Sequence, residues 1–438
     1  MPTLLRLQHK AIMTMNAHTP RILTDGETAL INAFEARFGA DLSDANRLAA
    51  IGLLKDKGLP TRRVEAFHYT DLRALIKGGW TVADRPDDEA ALAIGAAFPR
   101  LVSDAAVLHF CNGYHLDRGE DMPDGISLRQ ALPQLEAPSD NGQIVEAINL
   151  AFADAGVNLE VAADNEIQRT VGLVHAHAGK SDTLSAVRNS IHVGARSKSR
   201  FIDRAIGPDN ACYLHSSVVQ LKLEEGATVD YIMSIEDGDA AQRLARLNVE
   251  LAADATLNLF ILNAGGKLVR QEISFDVVGE GASLNISGVN LIGGEAHIDV
   301  TSIITHQVPN TNATETFRNV ATGRGRGVFQ GQINVRQPAQ LTDARMACNT
   351  LLLSDECDFS AKPELEIFAD DVQCAHGATV TDLEESYMFY LMARGIPEIR
   401  ARRLLIKAFV AEIVEEMEDE GLVEALEARI DVWMERHV

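Results

Sequence analysis

The run Asp370-Asp371-Val372-Gln373-Cys374-Ala375-His376 holds a thiol and an imidazole two residues apart. In an extended strand that spacing puts Cys374 and His376 on one face, roughly 6 to 7 Å apart along the chain. There a thiolate and a neutral ring nitrogen could share one soft metal or sulfur species. Taken alone, the pattern is also what a small buried cysteine and a hydrogen-bonded histidine leave in an ordinary strand. His175 and His177 alternate in the same way, and His306 closes an apolar run. With no second cysteine or carboxylate motif beside them, satisfied core or surface roles are expected for these three.

The motifs of nucleotide and hydrolytic chemistry are missing. The sequence holds no GxxxxGK[ST] phosphate loop, no HExxH, no GxSxG elbow and no GxGxxG after a strand. Gly323-Arg324-Gly325-Arg326-Gly327 is glycine-rich and basic. It lacks the Lys-Ser/Thr pair and the following helix of a phosphate cradle, so a mobile inter-strand loop is expected.

The elements that position the Cys-His pair are legible from periodicity. Leu30, Ile31, Phe34, Phe38, Leu48, Ile51 and Leu54 recur at helical spacing with an interruption near Gly39 to Ser43, which predicts a helical hairpin over residues 27–57. Residues 105–110 read as a strand ending at the turn Asn112-Gly113. From Val171 to His376 short β-branched runs alternate with turn residues. Gly226-Ala227-Thr228-Val229, Asp254-Ala255-Thr256-Leu257 and Gly281-Ala282-Ser283-Leu284 repeat about every 28 residues. A period of that size without an intervening helix points to a β-solenoid, an antiparallel sandwich being the alternative. After Thr381 the pattern is helical again, with a stop at Gly395-Ile396-Pro397, then Leu405, Phe409, Ile413 and Met417 four apart, and a third helix after Gly421. The division expected is a mixed N-terminal region over 1–165, a solenoid core over 166–380 and a helical module over 381–438.

Composition narrows the partners. Over 438 residues, 46% apolar and 24% charged residues describe a folded chain, and a formal charge of −23 disfavours nucleic acid and anionic membranes. Five scattered cysteines, never spaced as CxxC, are expected to be thiols in a reducing cytoplasm. The first 24 residues carry Arg6, Lys10 and Arg21 but no acid. They read as a floppy tail or an over-extended start, with an organellar transit segment as the alternative.

At this point the residues match a known pattern. Lys362-Pro363-Glu364-Leu365-Glu366-Ile367, Ala369-Asp370-Asp371-Val372 and Cys374-Ala375-His376-Gly377-Ala378-Thr379 closely resemble the SufD-type signature of the SufB/SufD family of SUF iron–sulfur cluster assembly proteins. Phe389-Tyr390-Leu391, Arg394-Gly395-Ile396, Gly327-Val328-Phe329, Ile333-Asn334-Val335 and Thr342-Asp343 continue it in family order. Upstream, Pro60-Thr61-Arg62 and Glu65 through Leu72 resemble a further block, with Phe67 where a tryptophan is usual. Leu341 stands where the family often has lysine.

The resemblance implies a mainly β protein: a right-handed parallel β-helix core with an N-terminal mixed region and a C-terminal helical domain. It implies a non-enzymatic subunit of the cytoplasmic SufBCD complex, supporting cluster formation and iron acquisition. The SufC-type ATPase would dock through the C-terminal helices, with Leu405 and Phe409 as candidates, and the SufB-type paralogue through the β-helix end. His376 and Cys374 would then lie at that interface as transient ligands of iron or a nascent cluster, with no cofactor held stably by the chain alone. A flavin in the complex and a homodimer in isolation are compatible with this reading. The competing readings are a SufB-type scaffold and a β-helix enzyme acting on acidic polysaccharide, the latter disfavoured by the absence of secretion signals and of carboxylate clusters on consecutive rungs.

Overall fold

The computed structural model describes residues 21–39, 43–87, 89, 100–179 and 182–438. Arg6 and Lys10 of the basic N-terminal stretch lie outside them. Arg21 does not hang free, because its Nη1 meets the buried Glu27 at 2.8 Å.

The expected hairpin forms as α1 (Asp25–Phe38) and α2 (Ala45–Lys57), each started by a side-chain cap, Thr24 and Asp44 respectively. A short α3 (Leu72–Leu75) and α4 (Ile144–Phe152) complete the N-terminal helices named here. Among the strands of this region are β1 (Thr81–Val82), β2 (Ala106–Cys111), β3 (Tyr114–Leu116), β4 (Ile126–Gln130) and β5 (Val157–Val161). The chain then winds through β6 (Val171–Ala176), β7 (Thr183–Val193), β8 (Lys198–Ile206), β9 (Tyr213–Leu223), β10 (Thr228–Glu236), β11 (Gln242–Leu251) and β12 (Thr256–Asn263). It continues through β13 (Leu268–Val277), β14 (Ser283–Ile292), β15 (His297–His306), β16 (Asn312–Ala321), β17 (Arg326–Val335), β18 (Asp343–Leu352), β19 (Asp358–Ile367) and β20 (Gln373–Asp382).

Odd strands from β5 to β19 stack in one sheet and even strands from β6 to β20 in the other, each pair parallel. This is a parallel β-solenoid with two strands per turn, as the period implies. The repeat read from the sequence is the stacking register itself: Thr228 pairs with Thr256 and Thr256 with Ser283.

One corner explains the period. Asp164, Arg196, Gly226, Asp254, Gly281, Asn310 and Leu341 all adopt positive φ, from 54° to 79°. Each donates its N–H to a carbonyl of the next turn, as from Gly226 to Ala253 at 2.8 Å and from Asn310 to Gln340 at 2.9 Å. Gly, Asn and Asp tolerate the left-handed region, whereas leucine carries a steric cost there. Leu341 sits at φ 61° and is 54% exposed, so its side chain recovers little by packing. Leu341→Asn is therefore expected to stabilise the chain by about 0.5–1 kcal/mol, read as a higher urea midpoint at unchanged m-value. A lower midpoint would show that the leucine side chain contributes contacts that outweigh the strain.

The glycine-rich basic segment is not the mobile loop expected. It is a tight turn between β16 and β17, with Arg324 N–H to Gly294 O at 2.7 Å and Ser354 Oγ to Gly323 O at 2.7 Å tying it to adjacent turns. Stacked turns satisfy each other's backbone groups, and that fixes them.

Helices cover both outer faces, so the strands are apolar on both sides. Leu184, Leu214, Leu244 and Leu268 pack under α1, α2 and α4. On the other sheet, Ile202, Ile232, Phe260, Val289 and Val320 pack under α6 (Glu398–Val414) and α7 (Glu420–His437) through Ile406, Val410, Leu426 and Trp433. Helix α5 (Glu385–Ala393) precedes them. The third C-terminal helix starts before Gly421, because Asp419 caps it by accepting the Leu422 N–H at 3.0 Å.

Candidate functional site

Cys374 and His376 share one face of β20, as their spacing predicts, and the register says which face. Cys374 pairs with Ala344 and His376 with Met346, both buried side chains of the solenoid interior. The pair therefore points inward. It nevertheless does not end up buried, because β20 closes one sheet and β19 the other, and among the described residues no strand stacks beyond either. His376 is exposed and Cys374 half-buried, while Ala361 and Leu365 on β19 are half-covered. Phe368, between the two strands, is 58% exposed. The site is an unfinished core layer: side chains of interior type that no described residue covers.

Burial raises the Cys374 thiol above its ordinary value, and the nearby Asp343 carboxylate adds to this. It rests as a thiol, so binding a metal there must expel a proton. Outward from the layer stand Glu364, Glu366, Asp370 and Asp371, all but the first fully at the surface, which gives the end an acidic rim. The last strands also meet the N-terminal block. Lys362 on β19 pairs with Glu65, and Gln330 on β17 donates to Ala66 O at 3.2 Å.

That block is anchored by a buried ionic network. Arg270 is fully buried; its Nη1 reaches Asp299 Oδ2 at 2.7 Å, Nε reaches Glu272 Oε1 at 3.1 Å and Nη2 reaches Ala66 O at 2.9 Å. Its guanidinium lies 4.5 Å from the centre of the Phe67 ring, and the Thr70 hydroxyl joins His297 Nε2 at 2.8 Å. Phe67, where a tryptophan is usual, thus keeps the role of a flat aromatic under an arginine.

His175, His177 and His306 are buried. His175 stacks on Phe110 at 4.9 Å and has Asp203 Oδ1 3.2 Å from Nε2, yet neither ring nitrogen closes a well-formed hydrogen bond. His177 stacks on Tyr213 at 3.9 Å. His306 meets Thr311 Oγ1 at 2.8 Å, and burial pushes its pKa down to about 4. Among the described residues, no group of three or more His, Cys, Asp or Glu is placed to hold a metal.

Leu405 and Phe409 both lie on α6, half-buried. Phe409 faces inward against the sheet, with the Arg318 guanidinium 5.0 Å from its ring centre. The open apolar surface lies just before it: no residue of α5 is buried, and Phe389 is 74% exposed. Met388, Phe389 and Met392 border a groove of about 490 Å³ with Leu352, Glu398 and Arg402. The sequence carried this signal in Tyr387-Met388-Phe389-Tyr390-Leu391-Met392, apolar all round where a solvated helix alternates.

A parallel β-solenoid with helices on both flanks and an incomplete last layer bearing a thiol and an imidazole is a scaffold for assembly. Residues 175–409 match the model of the SufBD core domain of the SUF system for FeS cluster assembly, and the chain belongs to that family. It is 28% identical over 386 residues to the iron–sulfur cluster assembly protein SufD of Escherichia coli, covering 85% of this chain and 89% of that one. An iron–sulfur cluster assembly SufBD family protein of Synechocystis is 25% identical, with 85% and 86% covered. The chloroplastic protein ABCI7 of Arabidopsis thaliana is 26% identical, with 67% and 66% covered. The protein is thus a SufD-like component of iron–sulfur cluster assembly, and its family supplies scaffolds rather than enzymes. No helix of the described residues is long and apolar enough to cross a membrane.

Proposed function

We propose that the chain is the SufD-type subunit of a SufBCD-type complex. Its last rung joins a SufB-type paralogue, its C-terminal helices dock a SufC-type ATPase, and His376, with Cys374 as the weaker partner, binds iron or a nascent cluster at the joint. The observation that carries this reading is the open rung. β19 and β20 are ten-residue strands with a free edge each, and proteins seldom leave such edges uncovered. A partner that ends in a matching two-stranded rung would pair both edges at once and enclose the apolar layer between them. The ligands would then sit where water is excluded, which favours soft-metal and sulfur chemistry.

For the ATPase, the exposed surface of α5 and the start of α6 supports docking, with Tyr387, Phe389 and Ile399 presented, Leu405 half-buried beside them and Phe409 bracing α6 from beneath. Deleting residues 398–438 is a poor test, since it would strip the cover from Ile202, Ile232 and Phe260. Phe389→Glu is the better one. It is expected to reduce co-purification with the ATPase by about tenfold or more, as for a central aromatic anchor, while the melting temperature stays within about 2 °C. Undiminished co-purification would place the docking surface elsewhere.

A further inference from the structure

Inside the solenoid, directly below the proposed site, a carboxyl group is buried with no cation beside it and only the Ser302 hydroxyl facing it. Glu315 on β16 is 1% exposed, and neither carboxyl oxygen closes a well-aligned hydrogen bond. A bare carboxylate in such surroundings is strongly disfavoured, so an acid placed there without a cation is held neutral. The register gives its position. Glu315 pairs with Met346 on β18, and Met346 pairs with His376 on β20. On the facing sheet, Ser302 pairs with Gly331 and Gly331 with Pro363. Three layers therefore stack toward the open end: Ser302 facing Glu315, Gly331 facing Met346, and Pro363 facing His376.

The middle layer is unusual. A Cβ on Gly331 would stand 2.5 Å from the Met346 sulfur, so the thioether occupies the room that the glycine leaves. A flexible, polarisable side chain is thus the only layer between the acid and the histidine. At the spacing of stacked strands, Glu315 lies about 10 Å from His376, too far to be a ligand and near enough to feel the charge of a cation held there.

We infer that Glu315 is an internal counter-charge for a divalent cation at the last rung: neutral while the rung is empty, it gives up its proton when the cation arrives. The step moves no electrons. Glu315–COOH becomes Glu315–COO⁻, the proton leaves to solvent, and the new negative charge offsets one of the two positive charges brought in. The inference rests on the proposed role of His376. It supplies something that role can use, since a cation in surroundings of low dielectric is held more tightly when negative charge stands near it.

The groups around Glu315 do not balance its charge by themselves. Inward-facing neighbours are Ile286 from β14, Ser302 from β15, Gly331 from β17, and Met346 and Cys348 from β18. None is charged, because burial holds the Cys348 thiol up at about 12. Burial likewise raises the Glu315 carboxyl to about 7, with the Ser302 hydroxyl pulling weakly the other way. An acid titrating there can change state at the pH of a cell.

The test uses the full chain in complex with its paralogue and ATPase, titrated anaerobically with Fe²⁺ between about pH 6 and pH 8. Proton release is counted by calorimetry in two buffers of different ionisation heat. Near pH 6 the wild type should release close to one proton more per Fe²⁺ than Glu315→Gln, and near pH 8 the variant should bind Fe²⁺ about tenfold more weakly. Glu315→Asp should restore part of the proton release. A carboxylic-acid C=O band in the infrared spectrum, present in the wild type and absent in Glu315→Gln, checks the neutral form without any metal. If Glu315→Gln matches the wild type while His376→Ala abolishes binding, the counter-charge is overturned and the site stands. If neither substitution changes Fe²⁺ binding, the cation is bound elsewhere, and both readings fall.

Discussion

Replacement of His376 by alanine is expected to leave the complex assembled and to cut cluster formation by at least about tenfold. The expectation follows from what the ring does in each state. In the isolated chain it faces inward from a layer that nothing covers, so it is exposed and holds no part of the core together. Its removal should cost less than about 0.5 kcal/mol. Under the proposed function its nitrogen is a ligand in the assembled rung, and losing even a group that only supports a ligand typically weakens a metal site roughly 10–100-fold. Cys374→Ala should give a smaller loss of cluster, because its thiol is held protonated and must first be deprotonated. Cluster yield, co-purification and thermal melting are measured side by side. Normal cluster yield from the His376 variant would remove the site, and a melting temperature many degrees lower would show the histidine to be structural.

The second large effect is expected at Arg270, far from any reaction. Arg270→Met should destabilise the protein by about 3–5 kcal/mol, because Asp299 would remain buried without its cation and Glu272 would keep only Arg246. The loss should be local as well as global. The same guanidinium holds Ala66 O and Phe67, so limited proteolysis of the variant should cut first near residues 60–75. Arg270→Lys should recover only part of the stability, since one ammonium cannot serve Asp299, Glu272 and a carbonyl in a planar fork. A denaturation midpoint within about 1 kcal/mol of wild type for Arg270→Met would show that the network is not what holds the N-terminal block to the solenoid.

Both effects involve residues that differ in how far the sequence exposed them. Cys374 and His376 were legible because two-residue spacing on a strand fixes a shared face whatever surrounds it. Arg270 was not, since an arginine in Leu268-Val269-Arg270-Gln271 reads as an outward charge on an edge, and only the packing of residues 65–70 against that face buries it. Phe409 was read at the right spacing, but spacing gives a stripe and not the object the stripe covers. The sheet under α6 claims it, and the uncovered apolar surface falls to α5 instead. His175 and His177 were expected in satisfied core or surface roles; both are buried, and the rings they stack on, Phe110 and Tyr213, are brought in from β2 and β9.

By itself, the sequence determined the solenoid, because its repeat is local: each turn needs a residue that tolerates positive φ at one corner, and Gly226, Asp254 and Gly281 supply it at the period of one rung. It also determined the helical ends and the pairing of a thiol with an imidazole, which are matters of periodicity along a single strand or helix. Only the tertiary structure decided what those residues face. That Cys374 and His376 point into a core but remain open follows from β20 having no strand above it, and that Glu315 stands beneath them follows from a register set by thirty-residue steps along the chain. Burial and charge balance are properties of the assembled neighbourhood, in which residues far apart in sequence come within a few ångströms, and no window of sequence contains that information.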